Sequence, residues 1–195
     1  MPVWHRRFST ATDLPPVNLL PASNFRLTEL QGALLLAQLS RLDRILADTA
    51  ANKQRLGAGI EDVLIRKGVA ARRAHDPQGD TSIALVLLLP DANVTHKATL
   101  ALRGEGAPAL QLFDRARPDP HVYCFWEPLF SKASWSTAGE PWRSHPRPLE
   151  YDRQMCPETL NILSRCVHLD VSPDLQPDQV DRLADAVTKV LDALL

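Results

Sequence analysis

Asn24 and Arg26 stand one residue apart where a loop runs into a helix, in the stretch ASNFRLTELQGAL from Ala22 to Leu34. A side chain at such a junction is aimed better than one in a free loop, so this amide and guanidinium are two polar anchors placed for recognition. Other chemistries find less support. The six histidines (His5, His75, His96, His121, His145 and His168) are dispersed, and none has metal-ligand spacing from Cys or Asp on a helix face, so no metal site is expected. Cys124, Cys156 and Cys166 are an odd number without a CxxC pair, which suits a reducing compartment and buried or idle thiols. No GxSxG elbow marks a serine nucleophile.

Aromatic rings gather in HVYCFWEPLF, from His121 to Phe130, with Trp135 and Trp142 beyond it. Rings such as Tyr123 and Trp126 can stack on a sugar face or fill a partner interface. A loop packed over its own domain is the alternative.

The elements that must carry these residues are legible in part. Four prolines (Pro2, Pro15, Pro16 and Pro21) and few periodic apolar positions make residues 1–27 an extended arm and interface loop. Thr28 can cap a helix, and Glu29 suits the positive end of its dipole. Leu30, Ala33, Leu34, Ala37, Leu42, Ile45 and Leu46 recur at three- and four-residue steps, and Gly57 and Gly59 end the run. This predicts one connecting helix over 28–57, roughly 42 Å long, joining two structural regions. Residues 58–195 then read as a small α+β domain. TSIALVLLL, from Thr81 to Leu89, predicts a strand buried on both faces, and Val94 to Arg103 a helix. Residues 104–154, rich in Pro and Trp, read as irregular chain, with Gly104-Glu105-Gly106 as a turn. A helix from Pro157 to Ser164 and a strand from Cys166 to Val171 follow. A last helix opens at Pro177, with Val180, Leu183, Ala184, Val187, Val190, Leu191 and Leu194 as its apolar stripe.

With 22 basic and 23 acidic residues, the formal charge of −1 leaves no broad footprint for nucleic acid or acidic membrane. No apolar run follows the early charges at His5, Arg6 and Arg7, and the most hydrophobic segment, Ile83 to Pro90, is far too short to span a bilayer. A cytoplasmic soluble protein is expected, with 45% apolar residues to fill a core.

The stretch ASNFRLTELQGALLLAQLSRLDRI, from Ala22 to Ile45, resembles the segment GxNxRMTELQAALGLAQLxRLD of the DegT/DnrJ/EryC1/StrS family, the PLP-dependent sugar aminotransferases. The end of the chain, from Cys156 through Arg165 to Val171 and on to Leu175 and the last helix, resembles the same family, so the likeness reaches from about residue 20 to 195. It implies the C-terminal half of a fold-type-I aminotransferase: a long helix leading into a small α+β domain, with a short sheet packed by helices. In the family, the asparagine of NxR reaches across an interface to the phosphate of PLP in the neighbouring subunit. Asn24 matches it, and an amide donates to phosphate without bringing a charge; a local loop or cap hydrogen bond is the alternative. Arg26 matches the family arginine and serves either the interface or the cofactor. The region of Tyr123 and Trp126 corresponds to the substrate mouth. Ala22 and Ser23 depart from the glycine and aromatic usual there, and Gly32 replaces an alanine.

The lysine that binds PLP precedes this segment in the family. Lys53, Lys67, Lys97, Lys132 and Lys189 all read as solvated surface, so this chain is not expected to hold PLP covalently. Two readings follow. In the first, the chain is the C-terminal-half subunit of a split aminotransferase acting on a keto sugar or keto cyclitol, inactive alone. A separately encoded subunit carries the PLP lysine, and the two form a heterotetramer. In the second, it is a non-catalytic binding or regulatory module derived from a transaminase. Met1 argues mildly against a third reading, a fragment of a complete enzyme.

Overall fold

A computed structural model describes residues 27–134 and 137–195. Leu27–Arg117 with Glu158–Leu195 form one compact unit, and Pro118–Pro157 belong to a second.

The first unit opens on Thr28, whose hydroxyl accepts from the Gln31 backbone N–H at 3.2 Å while its own N–H donates to Gln31 Oε1 at 2.9 Å. This reciprocal cap launches helix α1, Glu29–Leu39, as the sequence predicts. The single long helix does not follow. The chain turns at Ser40 and Arg41, and helix α2 runs Leu42–Lys67, past both glycines taken as its end. Gly57 and Gly59 stay helical, and termination falls to Gly68, which takes the left-handed conformation at φ 64°.

Strands β1 (Ala70–Ala71), β2 (Ala84–Leu88), β3 (Ala109–Gln111) and β4 (Cys166–Asp170) make one antiparallel sheet in the order β1-β2-β4-β3. Helices α3 (Ala92–Gly104), α5 (Pro157–Ser164) and α6 (Pro177–Leu194) complete the first unit around it. A four-residue helix, α4 (Glu127–Phe130), belongs to the second unit. The sheet's two terminal strands are too short for a periodic signal, which is why both went unread. The strand predicted over Thr81 to Leu89 is shorter and is not buried on both faces: Leu85 and Leu87 are buried, whereas Ala84, Val86 and Leu88 are half-buried. That alternation is the pattern of an antiparallel sheet covered by helices on one face.

Leu56, Ile60 and Val63 of α2 meet Val180, Val187 and Leu191 of α6 and the inward residues Leu87, Val167 and Leu169 of the sheet. Each fully buried side chain of this size contributes about 1.5–3 kcal/mol. Pro177 occupies the first turn of α6, and the stripe predicted from Val180 to Leu191 is the buried face. Asp91 caps α3 by accepting from the Asn93 and Val94 N–H groups at 2.8 and 2.9 Å. Gly104-Glu105-Gly106 is the turn that closes α3, with Gly106 at φ 85°.

Candidate functional site

Asn24 and Arg26 lie outside the described residues. What the structure shows is the element that follows them. α1 begins within three residues of Arg26 and has no buried residue, although Leu30, Leu34, Leu35, Leu36 and Leu39 are between 52% and 80% exposed. Leu30 and Leu34 lie on one side of the helix and Leu35, Leu36 and Leu39 on the other, with Gln31 and Gln38 sharing a polar strip between them.

A lysine able to bind an aldehyde cofactor needs a free amine in a pocket. None of the five provides it. Lys53 is 19% exposed and paired with Asp80, and Lys67, equally covered, lies 3.3 Å from Asp192. Both correct the expectation of solvated surface: α2 packs this flank against the 80–83 loop and against α6. Lys132 reaches Glu150 at 3.2 Å, Lys189 reaches Glu105 at 2.8 Å, and Lys97 is exposed. The described residues therefore do not fit PLP on their own.

Tyr123 and Trp126 belong to the second unit, and both spend their polar atoms within it. The Tyr123 hydroxyl donates to the Arg153 carbonyl and accepts from the Cys156 N–H, each at 3.0 Å. Trp126 Nε1 donates to the Pro120 carbonyl at 2.6 Å and leaves its ring 46% exposed. Only the ring of Trp126 is thus on offer, for stacking or apolar contact. Trp142 donates to the Ala133 carbonyl at 2.8 Å and meets Tyr151 edge-on, with centroids 6.1 Å apart.

Arg153 organises this unit, and the sequence reading missed it. Its guanidinium donates to the Cys124 carbonyl at 2.7 Å and to Glu127 at 2.6 Å, and it sits 4.4 Å from the centre of the Phe130 ring. Its partners are 26 and 29 residues away in sequence, so no local spacing could have found it.

His168 stands between Val86 and Leu110 across the second face of the sheet. Its Nε2 is 3.1 Å from Asp170 Oδ1 without hydrogen-bond alignment. Cys124 and Cys166 are buried thiols, and burial pushes the Cys166 thiol above its ordinary range; Cys156 is exposed. Among the described residues no group of three or more His, Cys, Asp or Glu could hold a metal ion, and no helix is long and apolar enough to cross a membrane.

A small antiparallel sheet packed by helices, entered through a helix with exposed leucines, makes this an α+β fold. Residues 4–116 match the DegT/DnrJ/EryC1/StrS aminotransferase family, and the chain belongs to that family. The match takes in α1, α2 and the first three strands. No curated protein matches the chain. Among solved structures, 3-amino-5-hydroxybenzoic acid (AHBA) synthase is similar in fold, with a TM-score of 0.60 at 19% identity. The alignment covers 93% of this chain but only 43% of the synthase chain, so this chain spans less than half the length of that protein.

Proposed function

We propose that this chain supplies the small-domain half of a cytoplasmic PLP-dependent aminotransferase that transfers an amino group from glutamate or glutamine to a keto sugar or keto cyclitol. A lysine-bearing subunit provides the large domain and the amine that holds the cofactor, and the two form a heterotetramer. Asn24 reaches the cofactor phosphate held by that subunit, and Arg26 supports the same junction. Membership of the aminotransferase family and the fold shared with AHBA synthase, a protein named for an amino-substituted ring compound, support this reading.

The observation that carries the partner is α1. A helix that exposes leucines on two opposite sides and buries none is complete only when other surfaces cover it. The ion-paired lysines agree, since the site then needs an amine from elsewhere.

Co-expression with lysine-bearing large-domain chains tests the reading. A stable complex that acquires PLP absorbance, where neither chain does so alone, is the expected result. Asn24→Ala should weaken PLP in that complex by about 1.5–3 kcal/mol, the cost of a hydrogen bond to a charged group, while assembly persists. A purified chain that remains a monodisperse monomer, binds no such partner or transaminates unaided refutes the reading.

A further inference from the structure

We infer that Asn52 and Lys53, consecutive on α2, form a fulcrum that sets the direction of the helical segment from Thr28 to Asp48, and that they are positioning residues for the polar anchors preceding it. Its consequence at the cofactor rests on the reading above; the fulcrum itself does not.

Contact between this segment and its own unit begins late. No residue of α1 is buried; in α2, Ile45 and Asp48 are half-buried and the first buried residue is Thr49. At the next turn two loops are gripped at once. Asn52 donates its side-chain amide to the carbonyls of Ser172 and Leu175, at 3.0 and 3.1 Å. Lys53 reaches Asp80 at 2.5 Å, with side-chain exposures of 19% and 18%. Asp80 also accepts from the Ser82 N–H at 3.1 Å, which holds Ser82 at φ 60°, a conformation rare for a non-glycine residue. The two gripped loops meet, because Val171 N–H donates to the Ile83 carbonyl at 2.9 Å. Consecutive residues of α2 thus clamp both chains leaving one end of the sheet.

The segment ahead of this clamp is a lever. Backbone hydrogen bonds continue through the turn between the helices, from Ser40 to Leu36, from Arg41 to Gln38 and from Ile45 to Arg41. About 20 residues at 1.5 Å each give a reach of about 30 Å. A tilt of about 5° at the clamp then moves the far end by about 2.6 Å, more than the roughly 1 Å that already disrupts a positioned contact. Lysine suits the clamp because its long stem lies along α2 while its charge meets Asp80 where water is largely excluded.

The test measures direction in the full chain. Spin labels at Gln38→Cys on α1 and Asp185→Cys on α6, both exposed positions, report their separation in a Cys156→Ser background. A single narrow distance distribution is expected for the otherwise unaltered chain. Lys53→Met and Asn52→Ala should each shift or broaden it by about 1–2 Å, and Lys53→Arg should keep it narrow. An unchanged distribution in a folded Lys53→Met chain overturns the fulcrum, and Asn52→Ala decides if that variant fails to fold. In the complex with the lysine-bearing subunit, Lys53→Met should weaken PLP binding about tenfold. A displaced segment with unchanged PLP affinity overturns the positioning role. A wild-type complex that takes up no PLP refutes the aminotransferase reading instead, and the distances still judge the fulcrum.

Discussion

Gly59 of α2 lies so close to Ala184 of α6 that a Cβ added at Gly59 would sit 2.8 Å from the Ala184 Cβ. The glycine is therefore a packing residue that lets two helices touch, in the middle of the helix it seemed suited to end. Gly59→Ala gains about 1 kcal/mol of helix propensity but must push α2 and α6 apart, which costs about 1–3 kcal/mol. Gly57 faces open space, with nothing within 4 Å of an added Cβ. Denaturant unfolding should show Gly59→Ala less stable than the parent and Gly57→Ala more stable by up to about 1 kcal/mol. Equal effects at the two sites would contradict the close approach.

Arg153 joins three partners, Cys124, Glu127 and Phe130, so its loss should loosen the second unit without touching the core of the first. Arg153→Met is expected to speed proteolytic cleavage within residues 118–157 and alter tryptophan emission, with helical circular dichroism unchanged. Arg153→Lys should not restore protection, because an ammonium cannot serve a carbonyl and a carboxylate with the same planar fork. Full rescue by lysine would show that charge alone holds the unit.

Asp80 supplies a pH dependence with a definite sign. The hydrogen bond from Lys53, then that from the Ser82 N–H, hold its carboxyl below the ordinary range against the opposing effect of burial. A depressed carboxylate stabilises the fold above its unfolded value, near 3.9, and loses that contribution as pH falls through the lower folded value. Asp80→Asn should therefore be less stable than the parent at pH 7, and the difference should shrink below about pH 4. Urea titrations at stepped pH measure this, and a gap constant down to strong acid would remove Asp80 as its source.

Much of this architecture could be read before any coordinates, and the failures share a cause. Thr28 as a helix cap and the buried stripe of α6 are both local signals and both are legible in the sequence. The end of α2 was misplaced because glycine was judged by its own propensity, whereas Gly59 answers to Ala184 far along the chain. Lys53 looked solvated for the same reason, since its partner Asp80 is 27 residues away. β1 and β3, two and three residues long, owe their existence to neighbouring strands rather than to any pattern of their own. Residue type alone singles out Tyr123 and Trp126 as candidates, but not Arg153, which ties their loop together.

The leucines of α1 separate stability from assembly. Leu30 and Leu34 are 80% and 61% exposed in this chain, so replacing them removes no contact from its own core. Leu30→Glu with Leu34→Glu should leave the unfolding free energy within about 0.5 kcal/mol per site, the usual range for surface changes. The same pair sets two carboxylates on the apolar flank that the proposed partner covers, and burying an unpaired charge is far costlier than burying a leucine is favourable. Sedimentation of co-expressed material should show the complex lost while the chain itself melts normally. Leu87→Ala supplies the contrast: Leu87 is 1% exposed, and its truncation should cost about 2–5 kcal/mol of folding stability. A complex that survives both glutamates would mean that this flank of α1 is not the surface the partner covers.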